Sequence, residues 1–255
     1  FIYSTPNGTF DLDGYYENMS KYEIGNDQNI SKYTEQKRFG IISKLFFENV
    51  DLSSKILDIG CGNGDLILSL AQNNIKFGLG IDYSNSAIDI CKEKLKKSNL
   101  KNCKFICDDI SNYKEIEKFD YVVLSDITEH LSDSELDNLF TNLKKFIDHN
   151  SEIIIHTPNG MALCNNTDTD IFQKIILFLK KLKGWKGYYW SIDELYYSQA
   201  HINVKSHRQL RFFLNKHGFK SKVLYDEKIK YLGFLSYLLS SNMLVIAKLE
   251  KNRKI

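Results

Sequence analysis

Residues 56–65 read ILDIGCGNGD: a strand-like run ending at Ile59 gives way to Gly60, Gly62 and Gly64, and a helix-prone stretch follows. A strand, a glycine turn and a helix start form the cradle used by nucleotide-type ligands, because glycine lets the backbone come close. The dinucleotide fingerprint requires G-x-G-x-x-G, and here Asp65 takes the place of the third glycine. Asp58 precedes the turn, Asp82 ends GLGID, and Asp108 with Asp109 ends the FICDD run. Asp82 stands close to the spacing of about 20 residues expected of a ribose-binding acid. A second group lies in SDITEHL, where Asp126, Glu129 and His130 fall at i, i+3 and i+4. On a helix beginning at Asp126 they would share one face. Two carboxylates and an imidazole there would supply half of a divalent-metal site.

The acids decide between ligands. A pyrophosphate beside Asp58 and Asp65 would meet like charge, whereas S-adenosylmethionine has no phosphate and carries a sulfonium and an ammonium group. The glycines admit its methionine part, Asp82 can take both ribose hydroxyls, and Asp108 or Asp109 can accept from the adenine amino group.

At this point the chain resembles the class I S-adenosylmethionine-dependent methyltransferases. ILDIGCGNGD, GIDYS, CDDI and FDYVVLSDITEHL occur in that family's order and spacing over roughly residues 50–160. The resemblance implies a Rossmann-like α/β fold with a seven-stranded, mostly parallel sheet, an antiparallel last strand and helices on both faces. It assigns Gly60, Gly62, Asp82 and Asp108 to the cofactor. Asp58, Tyr83, Asp109 and Ser125, which border these motifs, are counted with them. SDITEHL further resembles the ubiquinone-pathway O-methyltransferases and the small-RNA 2′-O-methyltransferases, where an acid-x-x-Glu-His run binds magnesium or a similar ion. Residue by residue, Asp126, Glu129 and His130 take the first three metal places, His201 the fourth, with Mg2+ or Mn2+ as the ion. Asp126 departs from the longer Glu of those enzymes. Without a metal, His201 serves as the general base, its ordinary pKa near 6.5 suiting that work; His130 and Glu129 are the other catalytic candidates.

Methyl transfer is an in-line displacement, so alignment of the acceptor dominates, and a hydroxyl acceptor additionally needs a base or a metal. The Asn-Pro-Pro-aromatic signature of many base-modifying amino methyltransferases is absent after the fourth strand. The sequence therefore favours O-methylation of a small-molecule or carbohydrate hydroxyl. Three other readings stay open: 2′-O-methylation of an RNA end, an NAD-dependent oxidoreductase, and a protein that binds the cofactor without turnover.

Strand-like runs at 55–59, 76–81, 103–107, 120–124 and 152–156 must position these residues, with helical patterns between most of them. Ser84 to Lys97 reads as a helix, and Ser132-x-x-Glu135 and Ser206-x-x-Gln209 are capping boxes, the second helix stopping at Gly218. Runs at 219–225 and 243–249 suggest an antiparallel final pair. Residues 1–50 read as an N-terminal cap segment, helical from about Ser31. Residues 51–255 read as the methyltransferase domain, with a helical lid insertion at about 161–200. Tyr15, Tyr16, Tyr33, Trp185, Tyr188, Tyr189 and Trp190 could line or pack that lid. Lysines among the apolar residues of 171–190 suggest peripheral membrane contact. The net charge of +2 gives little steering toward nucleic acid. Five unpaired-looking cysteines, with no zinc-type spacing, point to reduced thiols and a cytoplasmic protein. Oligomeric state is not legible.

Overall fold

The computed structural model describes residues 2–5, 8–11, 42, 51–114, 117–160, 202–225 and 242–250. Seven strands form one sheet: β1 Lys55–Ile59, β2 Phe77–Asp82, β3 Cys103–Cys107, β4 Tyr121–Ser125, β5 Glu152–Pro158, β6 Phe219–Tyr225 and β7 Asn242–Leu249. Their order is β3-β2-β1-β4-β5-β7-β6. β1 to β5 are parallel to one another, and β7 runs antiparallel to both β5 and β6. The expected antiparallel pair is present, with β7 inside it and β6 at the edge. Chain order reverses at β1, which pairs with β2 on one side and β4 on the other. That is the switch point at which such sheets open a crevice beyond their carboxyl ends.

The strands are buried on both faces. Along β1, Ile56 joins one apolar cluster and Leu57 the other. The Ile56 side is covered by α1 (Asp65–Gln72) and α2 (Asn85–Ser98), through Ile67, Leu70, Ile88 and Cys91. Ile42, helical and buried, joins this cluster. The Leu57 side is covered by α3 (Asp133–Leu143) and α4 (His207–Lys216), through Leu136, Phe140, Leu210 and Phe213. Both expected capping boxes form, at Ser132/Glu135 and Ser206/Gln209, and Gly218 follows α4 at φ 79°. β4 begins one residue later than expected because Asp120 is spent at its mouth, accepting the Lys55 N–H through Oδ2 at 2.7 Å.

One element departs from the sequence expectation. An antiparallel hairpin, Ile2–Thr5 with Gly8–Asp11, stands in the segment read only as a helical cap. Pro6-Asn7, followed by Gly8, is a turn signal in the sequence at this point. The 161–200 insertion, its aromatic residues, and Tyr15, Tyr16 and Tyr33 lie outside the described residues. Among the described residues, no helix is long and apolar enough to cross a membrane.

Gly80 in β2 faces the glycine turn with no room for a side chain: a Cβ there would lie 2.6 Å from Phe105 Cδ1 and 2.9 Å from Cys61 Sγ. Gly80→Ala should therefore destabilise the fold by about 1–3 kcal/mol through overpacking. A lowered urea midpoint at unchanged slope is the expected result.

Candidate functional site

The glycine turn leaves β1 through three residues with positive φ, Gly60 at 73°, Gly62 at 51° and Gly64 at 77°. Two of them have a second reason to be glycine. A Cβ on Gly60 would lie 2.8 Å from Ile127 Cδ1, and one on Gly64 2.7 Å from Phe105 Cε1.

Asp82 holds this turn. Its Oδ2 accepts the Gly62 N–H at 2.8 Å and its Oδ1 accepts the Ser84 N–H at 2.9 Å. Ser84 in turn caps α2, its hydroxyl accepting from the Ala87 N–H at 3.2 Å. One carboxylate thus joins the end of β2, the glycine turn and the start of α2.

Asp58, one strand over, is 3% exposed, and its Oδ1 has no hydrogen-bond partner among the described residues. Burial first, and the neighbouring Asp82 charge second, lift its carboxyl to about 7. A buried polar atom left unpaired is costly, and a cationic ligand group would relieve that cost.

A pocket opens over these residues at the carboxyl ends of the strands. Gly60, Asp82, Tyr83, Asp108, Asp109 and Ile110 form one wall; Ile127, Leu131, Glu135, Asn138 and Leu139 form another. It gathers five of the eight expected cofactor residues. Gly62 is bonded to its Asp82, Asp58 is buried in β1 within electrostatic reach of Asp82, and Ser125 turns instead to Asp126, its hydroxyl donating to Oδ2 at 3.2 Å. The carboxylates of Asp108 and Asp109 are oriented by the backbone, their Oδ1 atoms accepting from the N–H groups of Asp109 and Ser111, each at 2.7 Å. Asp82, Asp108, Asp109 and Glu135 line the pocket, and among the described residues no Lys, Arg or His lines it.

Asp65 plays a smaller part than expected. It is exposed and paired with Lys94 at 2.7 Å, so the charge opposing a phosphate comes from the pocket acids. Sequence reading missed Ile127, Leu131, Asn138 and Leu139, which carry no polar motif. It recognised Glu135 only as a capping residue.

The second group is built differently from the expectation. Asp126 has φ 52°, a left-handed conformation that Asp tolerates, and only Thr128–His130 make a 3-10 turn. Asp126, Glu129 and His130 therefore do not share a helical face. The cause lies across the sheet in β5. The Asp126 N–H donates to the His156 carbonyl at 2.8 Å, and Asp126 Oδ1 lies 3.1 Å from His156 Nδ1. Glu129 is drawn to the same strand, its Oε2 accepting from Thr157 Oγ1 at 3.0 Å. Among the described residues, no three His, Cys, Asp or Glu side chains converge as metal ligands would. His201, the fourth expected ligand and the expected base, lies outside them.

Glu129 is 1% exposed, and its Oε1 has no hydrogen-bond partner among the described residues. Burial, then the Asp126 charge, push its carboxyl to about 8. A carboxyl in that range can hold or release a proton near neutral pH.

Comparison with known proteins agrees with this geometry. A family model described as a methyltransferase domain matches residues 51–201, more than half of the chain. A probable cobalt-precorrin-6B C(15)-methyltransferase (decarboxylating) of Methanocaldococcus jannaschii is 34% identical over 87 residues, covering 33% of this chain and 45% of the relative. A ubiquinone biosynthesis O-methyltransferase of Coxiella burnetii is 29% identical over 118 residues, covering 46% and 49%. The chain thus spans about half the length of the curated relatives it matches. Among solved structures, magnesium protoporphyrin IX methyltransferase from Synechocystis with bound S-adenosylhomocysteine superposes with a TM-score of 0.62. It shows 15% identity and covers 94% of this chain and 98% of its own, a likeness of fold.

The raised Asp58 carboxyl has a consequence for stability. The folded state favours the neutral acid, so this contribution is fully present below the ordinary pKa near 3.8 and is lost as pH rises through about 7. Asp58→Asn should gain stability over the parent protein as pH rises across that window, on the order of a few kcal/mol by pH 8. Urea titrations at pH 5 and pH 8 check this; a pH-independent difference would contradict it.

Proposed function

The chain belongs to the methyltransferase-domain family, and on that premise we propose that it transfers a methyl group from S-adenosylmethionine to a hydroxyl oxygen of a small-molecule or sugar-type acceptor. When bound, this cofactor supplies a methyl group activated by a positively charged sulfur. The observation that carries the reading is the all-acidic set of charged pocket residues together with the unpaired oxygen of buried Asp58. Asp82 would accept the ribose hydroxyls, Asp108 or Asp109 the adenine amino group, and Asp58 would face positive charge. A dinucleotide's pyrophosphate would meet the carboxylates of Asp82, Asp108 and Asp109 there, which speaks against the oxidoreductase reading.

Among the described residues, Glu129 is our candidate to take the acceptor's proton. It stands in sequence between Ile127 and Leu131 of the pocket wall, and its raised carboxyl matches the work of a base near neutrality better than an ordinary glutamate would. Thr157 would fix the orientation of one oxygen and leave the other for the acceptor. Such a base favours a hydroxyl acceptor over an amine that needs only loss of a proton, and it supports turnover rather than silent binding. Asp126 Oδ1 and Glu129 Oε2 lie against His156 and Thr157, and the described residues do not bring the expected metal ligands together. The four described cysteines are free thiols, which supports a cytoplasmic setting.

Glu129→Gln should bind S-adenosylhomocysteine as the parent does and lose methyl transfer by about 100-fold or more, the usual worth of a general base. In the parent, the rate should climb as pH rises toward about 8, where Glu129 gives up its proton. Transfer of radiolabelled methyl to a panel of hydroxyl metabolites measures both. An active, pH-insensitive Glu129→Gln would remove Glu129 from this role.

A further inference from the structure

We propose that Asn203 is a positioning residue for the cofactor pocket, its side-chain amide holding the turn that carries Ile127, Glu129 and Leu131 against the glycine turn. The inference rests on the methyltransferase reading above and assigns it a residue outside the family-type motifs. Asn203 makes three hydrogen bonds to residues 129–133. Its N–H donates to the Glu129 carbonyl at 2.9 Å, and its Nδ2 donates to the Leu131 carbonyl at 2.7 Å and to Asp133 Oδ1 at 2.9 Å. The amide can face only one way, because Lys205 Nζ donates to Asn203 Oδ1 at 2.9 Å and to Asp133 Oδ1 at 2.6 Å.

The Leu131 carbonyl is the contact that matters. Leu131 is buried and extended, with φ −100° and ψ 136°, between the 3-10 turn and the Ser132 cap of α3. No helical ladder reaches its carbonyl, so Asn203 supplies the donor. The Leu131 side chain forms pocket wall, and so does Ile127, which presses on Gly60. The other side of the Asn203 segment is fixed too. The Gly160 N–H donates to the Lys205 carbonyl at 3.1 Å, and a Cβ on Gly160 would lie 2.7 Å from the Lys205 carbonyl carbon. Asn203 thus sits on a strap fixed at the end of β5 and bonded to the pocket wall. Removing its amide leaves a buried carbonyl without a donor, and the turn must shift to find water. The Ile127–Leu131 wall would move with it.

Calorimetric titration of S-adenosylhomocysteine tests this, read beside the melting temperature of the ligand-free protein. Asn203→Ala should bind about three- to tenfold more weakly, the scale of one buried carbonyl losing its donor, and the ligand should raise its melting temperature less than it raises that of the parent. Asp133→Ala, which leaves the Leu131 contact intact, should stay within about twofold of the parent. If alanine at 203 does not fold, Asn203→Ser takes its place and should still bind measurably more weakly than the parent. Unchanged affinity in the position-203 variant, or an equal loss in Asp133→Ala, overturns the proposal. A parent protein that does not bind S-adenosylhomocysteine overturns the methyltransferase reading itself, and this inference with it.

Discussion

The Asp82 carboxylate is the interaction on which the site depends. Its two oxygens gather the Gly62 and Ser84 N–H groups, and so tie the glycine turn to the start of α2. Three left-handed glycines in one short loop have little intrinsic reason to hold a single shape. The turn is kept by that carboxylate, by Gly60 and Cys61 donating to the Ile81 carbonyl, and by packing against Ile127 and Phe105. Asp82 therefore holds the turn and lines the pocket at once.

The sheet explains why the polar groups meet. At the switch point β1 lies between β2 and β4, so Asp58, Asp82 and the turn after β4 emerge side by side. β5 then brings His156 and Thr157 beside Asp126 and Glu129. Two buried carboxyls, at Asp58 and Glu129, are held with an oxygen unpaired. Both cost folding stability at neutral pH, and an apolar residue at either place would be cheaper for the fold. A cationic cofactor beside Asp58 and a proton-taking step at Glu129 would offset that cost.

Much of the scaffold was legible in the amino-acid order. Buried strands such as KILDI read as apolar runs with sharp ends, and the two capping boxes carry their own signature. Contacts made across the sheet were not legible. Nothing local to SDITEHL announces that His156 will draw Asp126 into a left-handed conformation and break the helical face. The pairing of Lys94 with Asp65, which discounts one acid from the pocket argument, likewise depends on how α2 packs. Glu135 illustrates a different limit: a capping motif explains the residue fully at the local level and hides its second place in the pocket wall.

The acids of this pocket favour a phosphate-free cationic nucleoside over a dinucleotide. The most direct test is competitive calorimetry on the intact chain with S-adenosylmethionine and NADH at one ionic strength. The account predicts one-to-one binding of S-adenosylmethionine and no heat from NADH at the same concentration. Binding of NADH without binding of S-adenosylmethionine would contradict it.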